Sequence, residues 1–386
     1  MQSLTARRLR WVVPFAAAAA IAAAAVLPGV ASGSDHPNLP ARSAQQLLTD
    51  LLKVRAPALS GTVVETARLG LPELPTPNGA GSADLSWPNL VTGSHTLRVW
   101  VDGPEKQRVA LIGELAESDY VHDGSSVWLY SSSANQATRV SVPANAGAAA
   151  ENRVAQNLPT PAQAAAEAIA AITPSTRVAV DDTARVAGRP VYLLVLEPKD
   201  SRSLVGKVTI AVDSQTSVPL RVQVYARGGS SPAFETGFTD VTFAAPPASV
   251  FHFIPPTGAK VTTATAGEVI SGQRSASDTA IRIRKPGTLT TADAPTKQHS
   301  TSGGPERRIG TGWTTVVVAD GSAIGSPGPS VGQLQGLLLN SATRVPGGQL
   351  ISTALVSVLL TDDGKLYVGA VTPAALEQVA RTGRPL

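Results

Sequence analysis

Val191-Tyr-Leu-Leu-Val-Leu196 is apolar at every position. Successive side chains of a strand point to opposite faces, so both faces of this segment are apolar. Such a strand is covered on both sides. Leu97-Arg-Val-Trp-Val101 and Val127-Trp-Leu-Tyr130 show the same tendency. Somewhere around residues 97–196, then, lies a sheet with something packed on each face.

Short β-forming runs flank the segment on both sides. Leu59–Leu69, Thr96–Val101, Gln107–Ile112, Glu117–His122, Val127–Ser131 and Gln136–Ser141 precede it. Arg177–Val186, Pro190–Glu197, Lys207–Val212, Pro219–Tyr225, Phe234–Phe243 and a brief Phe251–Phe253 surround and follow it. Each is closed by Asp-Gly, Gly-Pro or Ser/Asn clusters, the punctuation of strands. Glycine in Asp102-Gly103 and Asp123-Gly124 takes the positive φ that a tight turn needs. Short turns favour antiparallel order, because parallel pairs need long crossovers. The reading is a mainly β protein: one curved antiparallel half-barrel of about eleven strands.

Two helices cover it. Ser43-Ala-Gln-Gln46 is a capping box, and Leu47, Leu48, Leu51 and Leu52 form an apolar stripe at helical spacing, which predicts a helix over Ala44–Arg55. Thr160-Pro-Ala-Gln163 announces the second, with Thr160 capping, Pro161 in the first turn and Gln163 completing the box. That helix ends before Pro174, and its only large apolar side chains are Ile169 and Ile172. An alanine-rich helix lies flat on a sheet without filling much space beneath it. A curved sheet with an under-filled apolar interior is a natural site for an acyl chain, held by burial with few polar contacts. The same spacing also fits a dry core. Candidates to line a cavity are Leu47 and Leu51 on the first helix, Ile169 on the second, and Val99, Val101, Trp128, Tyr130, Tyr192, Leu194 and Leu196 on the strands.

The ends of the chain read differently. Arg7, Arg8 and Arg10 precede an uncharged run, Trp11–Leu27, and then small residues at Gly29 and Ala31. This is the order of a secretory signal, so residues 1–31 are a signal peptide or an N-terminal anchor. The protein is expected to be exported: secreted, or anchored at the outer face of the cytoplasmic membrane. Residues 41–255 hold the half-barrel. Residues 256–308 turn to Thr, Ser, Ala, Gly and Pro and read as a flexible linker. Residues 309–386 form a small α+β unit with strands Trp313–Ala319, Leu350–Leu360 and Leu366–Val371. It also has helices over Val331–Asn340 and after Thr372-Pro373.

Composition excludes several functions. There is no cysteine, hence no disulfide, thiolate nucleophile, cysteine metal site or lipid-modified cysteine. The net charge of +4 includes three arginines of the signal, so the mature chain lacks the basic stripe that nucleic acid requires. No two of the five histidines stand at metal-ligand spacing, and neither a nucleophile elbow nor a phosphate loop occurs. No catalytic residue, cofactor or metal is expected.

Tyr120-Val-His-Asp-Gly-Ser-Ser-Val-Trp-Leu-Tyr-Ser131 resembles a hairpin of the outer-membrane lipoprotein carrier (LolA/LolB-like) superfamily. So does a block formed by Val186-Ala-Gly-Arg-Pro-Val-Tyr-Leu-Leu-Val-Leu-Glu-Pro-Lys199, Lys207-Val-Thr-Ile-Ala-Val-Asp213 and Val218-Pro-Leu-Arg221. The block is also similar to that of RseB/MucB-type periplasmic sigma-factor regulators. The resemblance covers about residues 41–255 and excludes the tail. It implies an eleven-stranded half-barrel with an apolar cavity for the acyl chains of lipoproteins or glycolipids, and a non-catalytic role. The function expected is a carrier or chaperone for a lipid, a lipoprotein acyl chain or another apolar ligand. The alternatives are an envelope-signal regulator that binds a membrane partner such as an anti-sigma factor, and an extracytoplasmic hydrolase.

Overall fold

A computed structural model of the 386-residue chain describes residues 36–53, 57–70, 92–113, 115–141, 160–265, 307–320 and 342–386. The signal, the loop after the first strand, most of the expected linker, and the helix expected over Val331–Asn340 lie outside the described residues.

Helix α1 (Ala44–Lys53) begins at a reciprocal capping box. Ser43 N–H donates to Gln46 Oε1 at 2.8 Å and Gln46 N–H to Ser43 Oγ at 3.2 Å. The strands that follow are β1 (Leu59–Arg68), β2 (Thr92–Val101), β3 (Lys106–Ile112), β4 (Glu117–Asp123), β5 (Ser126–Ser131) and β6 (Gln136–Ser141). Helix α2 (Pro161–Ala170) separates these from β7 (Thr176–Val186), β8 (Arg189–Pro198), β9 (Val205–Asp213), β10 (Pro219–Ala226), β11 (Pro232–Thr242) and β12 (Lys260–Thr265). They form one sheet in the order β12-β6-β5-β4-β3-β2-β1-β11-β10-β9-β8-β7. Among the described residues the sheet does not close, and β12 and β7 are its edges.

Among the described residues the half-barrel therefore has twelve strands, one more than the eleven expected. The extra strand, β12, lies in the first residues of the span read as linker. It pairs parallel with β6, Lys260 against Gln136 through Thr265 against Ser141, in a sheet otherwise antiparallel. Its threonines are good strand formers but lack the large apolar residues by which a strand is read. The brief strand expected at Phe251–Phe253 is instead a 3-10 turn, Ala248–Phe251. This turn buries Phe251 and leads the chain to β12.

Three local expectations also change. Leu52, part of the stripe on α1, is 72% exposed while Leu47 is fully buried, so the stripe is narrower than its spacing suggests. Thr160 Oγ1 accepts from Gln163 N–H at 3.3 Å, but the Gln163 side chain turns forward to Glu167 and leaves the box half made. In the tail, Leu350–Leu360 is a hairpin and not one strand. The polar Thr353 beside Ala354 breaks the run between β16 (Gly348–Ser352) and β17 (Ser357–Thr361).

The tail is a six-stranded antiparallel sheet in the order β13-β14-β18-β17-β16-β15. Its other strands are β13 (Arg307–Ile309), β14 (Val316–Asp320), β15 (Thr343–Val345) and β18 (Lys365–Gly369). Helix α3 (Pro373–Thr382) closes its core through Ala375, Leu376 and Val379. Thr372 stands at the N-cap but makes no side-chain capping bond.

Candidate functional site

Strand register places a continuous row of side chains on the face that meets the helices. Leu194 pairs with Ile210, Ile210 with Val222, Val222 with Thr236, Thr236 with Glu65 and Glu65 with His95. The next row runs Leu196, Val208, Val224, Phe234 and Ala67. Directly opposed residues share a face, so these rows form a floor that is apolar from β8 to β10. Leu194, Leu196, Ile210 and Val222 are fully buried.

The roof has three parts. Helix α1 supplies Leu47 and Leu51, and α2 supplies Ala165, Ala168 and Ile169. The third part comes from the tail, where the turn between β16 and β17 inserts Ala354, Leu355 and Val356 into the same cluster, joined by Trp313. Backbone bonds fix the docking. Ala354 N–H donates to the Leu69 carbonyl at 2.9 Å, Leu204 N–H to Ala370 at 2.9 Å and Thr372 N–H to Arg202 at 2.8 Å. Trp313 Nε1–H adds a bond to Thr176 Oγ1 at 2.9 Å.

Six of the ten expected cavity residues meet here: Leu47, Leu51, Ile169, Tyr192, Leu194 and Leu196. Tyr192 is satisfied at the margin, its hydroxyl donating to the Pro40 carbonyl at 2.8 Å. Val99 and Val101 belong to a second cluster with Val63, Leu97, Val109, Tyr120 and Phe238, on the same face by register but toward the Asp102-Gly103 and Asp123-Gly124 turns. Trp128 and Tyr130 point the other way. Their ring centroids lie 5.4 and 5.5 Å from Phe253, on the face crossed by the Ala248–Phe251 turn. Both faces of Val127-Trp-Leu-Tyr130 are apolar, so spacing alone could not choose between the aromatic pair and the buried Val127. The floor residues Val208, Ile210, Val212 and Val222 escaped selection, although Lys207–Val212 was already recognised as a strand. No local pattern points to Leu355.

Three buried acids, Glu65, Asp119 and Asp213, break the apolar pattern. Glu65 is fully buried in the floor. His95 Nδ1 lies 2.8 Å from its Oε2, and Oε1 has no hydrogen-bond partner among the described residues. Burial pushes its pKa up against the opposing pull of His95. Asp119, on the opposite face, lies 2.7 Å from the Arg108 guanidinium. Burial drives its pKa to about 6, with Arg108 pulling down and Glu117 pushing up. Val64, Thr66, Arg185, Val186, Arg221 and Phe238 contribute to a cleft of about 310 Å³. None of these was among the expected site residues. No group of three or more His, Asp or Glu among the described residues could hold a metal ion.

The motif residues that carry the sequence resemblance have structural work. Asp213 accepts from the Arg189 guanidinium and from Thr216 N–H and Oγ1, closing the turn between β9 and β10. His122 Nε2 lies 2.7 Å from the Gly124 carbonyl across the β4–β5 turn.

Residues 87–263 match the model of a family described as "Predicted periplasmic protein (DUF2092)". That description agrees with export: the chain is an extracytoplasmic protein. No curated protein matches it. Among solved structures it is similar to the MucA/MucB complex of Pseudomonas aeruginosa, at 17% identity over 87% of this chain and 96% of that one, TM-score 0.41. It is also similar to the LolA superfamily protein NE2245 from Nitrosomonas europaea, at 13% identity over 55% of this chain and 99% of that one, TM-score 0.21. These are the two groups that the motifs resemble. Identities this low carry no function across.

Proposed function

We propose that this chain is a non-catalytic extracytoplasmic binding protein that holds a lipid, a lipoprotein acyl chain or another apolar ligand between the floor of β8–β10 and the two helices. The observation that supports this reading is the roof. Over fully buried Leu194, Leu196, Ile210 and Val222, α2 presents Ala165 and Ala168. An alanine side chain buries little, so lifting α2 costs far less than removing a leucine-faced helix. An acyl chain entering beneath it gains about 0.8 kcal/mol for each methylene buried. The tail turn at Leu355 covers the rest of the interior and acts as its lid.

Mass spectrometry of lipids extracted from protein purified from membranes tests the reading. The expected result is a stoichiometric acyl lipid, lost in Leu194→Asp protein that still passes size exclusion as a monomer. Lipid-free protein whose function depends on one polar residue would refute it and restore the hydrolase. The regulatory alternative rests on the same docked tail, whose few hydrogen bonds to the barrel are exchangeable for a membrane-bound partner such as an anti-sigma factor. Under it, removal of the tail leaves lipid binding intact and abolishes complex formation.

A further inference from the structure

Buried polar atoms in folded proteins are nearly always hydrogen-bonded, and each exception calls for an explanation. Glu65 is such an exception, and its position is informative. It occupies the same cross-strand row as Leu194, Ile210 and Val222, with Thr236 between Val222 and itself and His95 beyond. The row is therefore apolar at the β8 end and polar at the β1–β2 end. Four strand spacings separate Leu194 from Glu65, roughly 19 Å at about 4.8 Å each. Along its own strand Glu65 stands between buried Val63 and Ala67, so the polarity is local and not the margin of a wet surface. His95 engages only Oε2, which leaves Oε1 as an acceptor facing the interior without a donor.

From this asymmetry we propose that the interior takes an amphiphile in one orientation, with its chain over Leu194, Ile210 and Val222 and a donor-bearing head group, hydroxyl or amine, on Oε1 of Glu65. The assignment rests on the lipid-binding reading above and adds to it a ligand class and a direction. A hydrocarbon or simple ester fills the apolar end but leaves Oε1 without a donor. A monoacylglycerol or an amino-terminated lipid supplies the missing donor.

Displacement of a fluorescent fatty acyl probe from the full-length protein tests this. The competitors are 1-monooleoylglycerol and methyl oleate. Supplying a donor to a buried, unsatisfied acceptor predicts that the glyceride competes roughly 10- to 100-fold better. Glu65→Leu should bring the two competitors within about twofold by losing glyceride affinity while keeping methyl oleate. Glu65→Gln, which keeps the shape and a neutral acceptor, should fall between and decides the case if the leucine variant does not fold. Equal competition on the native protein overturns the head-group assignment and leaves lipid binding standing. No displacement by either competitor removes both.

Discussion

Replacing Leu355 by alanine separates the docking of the tail from the stability of the barrel. Leu355 is 8% exposed and packs into the cluster that holds Leu47, Leu51 and Leu194. Truncating a buried leucine costs about 2–5 kcal/mol. The turn can partly collapse onto Ala354 and Val356, so the lower part of that range, about 2–3 kcal/mol, applies. The loss falls on one equilibrium, docked against undocked tail, and so raises the open population roughly 30- to 150-fold. Three amides report it directly: Ala354, Leu204 and Thr372 donate across the seam. Their hydrogen exchange should accelerate by that factor, because protection at a local opening measures its free energy. Amides in the β1–β2 ladder, such as Val63, should not change. Unchanged exchange at all three seam amides would mean that Leu355 does not hold the tail. Equal acceleration in β1 and β2 would mean that the tail and barrel open together, and the lid would have to be abandoned.

The pKa of Asp119, raised from 3.8 to about 6, has a consequence for stability. The folded state binds this proton more tightly, so stability should decline as pH rises from 3.8 to 6, and Asp119→Asn should remove that decline in denaturant titrations. Ala187 has φ of +49° beside Gly188 at +75° in the β7–β8 turn. A side chain there is strained, so Ala187→Gly should stabilise by about 0.5–1 kcal/mol, read as a rise in Tm. Thr160→Ala should cost about 1 kcal/mol through the lost cap on α2. Thr372→Ala, at a cap position without a side-chain bond, should be silent in the same melt.

Much of the barrel was legible because its strands are short and punctuated. Asp102-Gly103 and Asp123-Gly124 both became tight turns, each with its glycine at positive φ. Two-sided burial of Val191–Leu196 was read from six letters, and both faces are indeed packed. What escaped was non-local. β12 is specified by the parallel pairing it finds on β6, not by its own threonines. Trp128 and Tyr130 were placed with the cavity because a strand apolar on both faces does not say which face meets the helices. The Glu65–His95 pair joins residues thirty positions apart on adjacent strands, and neither residue stands out in its own segment.

The pairing of β1 with β11 has a consequence for how the molecule comes into being. Ser60 meets Thr242 across it, yet β2–β6 and β7–β11 can each assemble from neighbouring hairpins. Because the chain emerges on the far side of the membrane from its amino end, β1 finds β2 early and then waits with its other edge bare until Pro232–Thr242 has followed. Contacts this distant in sequence form slowly, and a bare edge is a template for the wrong neighbour. A chain stalled after β6 therefore presents a sticky half-sheet. In a crowded envelope the interval between export of β1 and arrival of β11 is when this protein is most exposed to aggregation and to proteases.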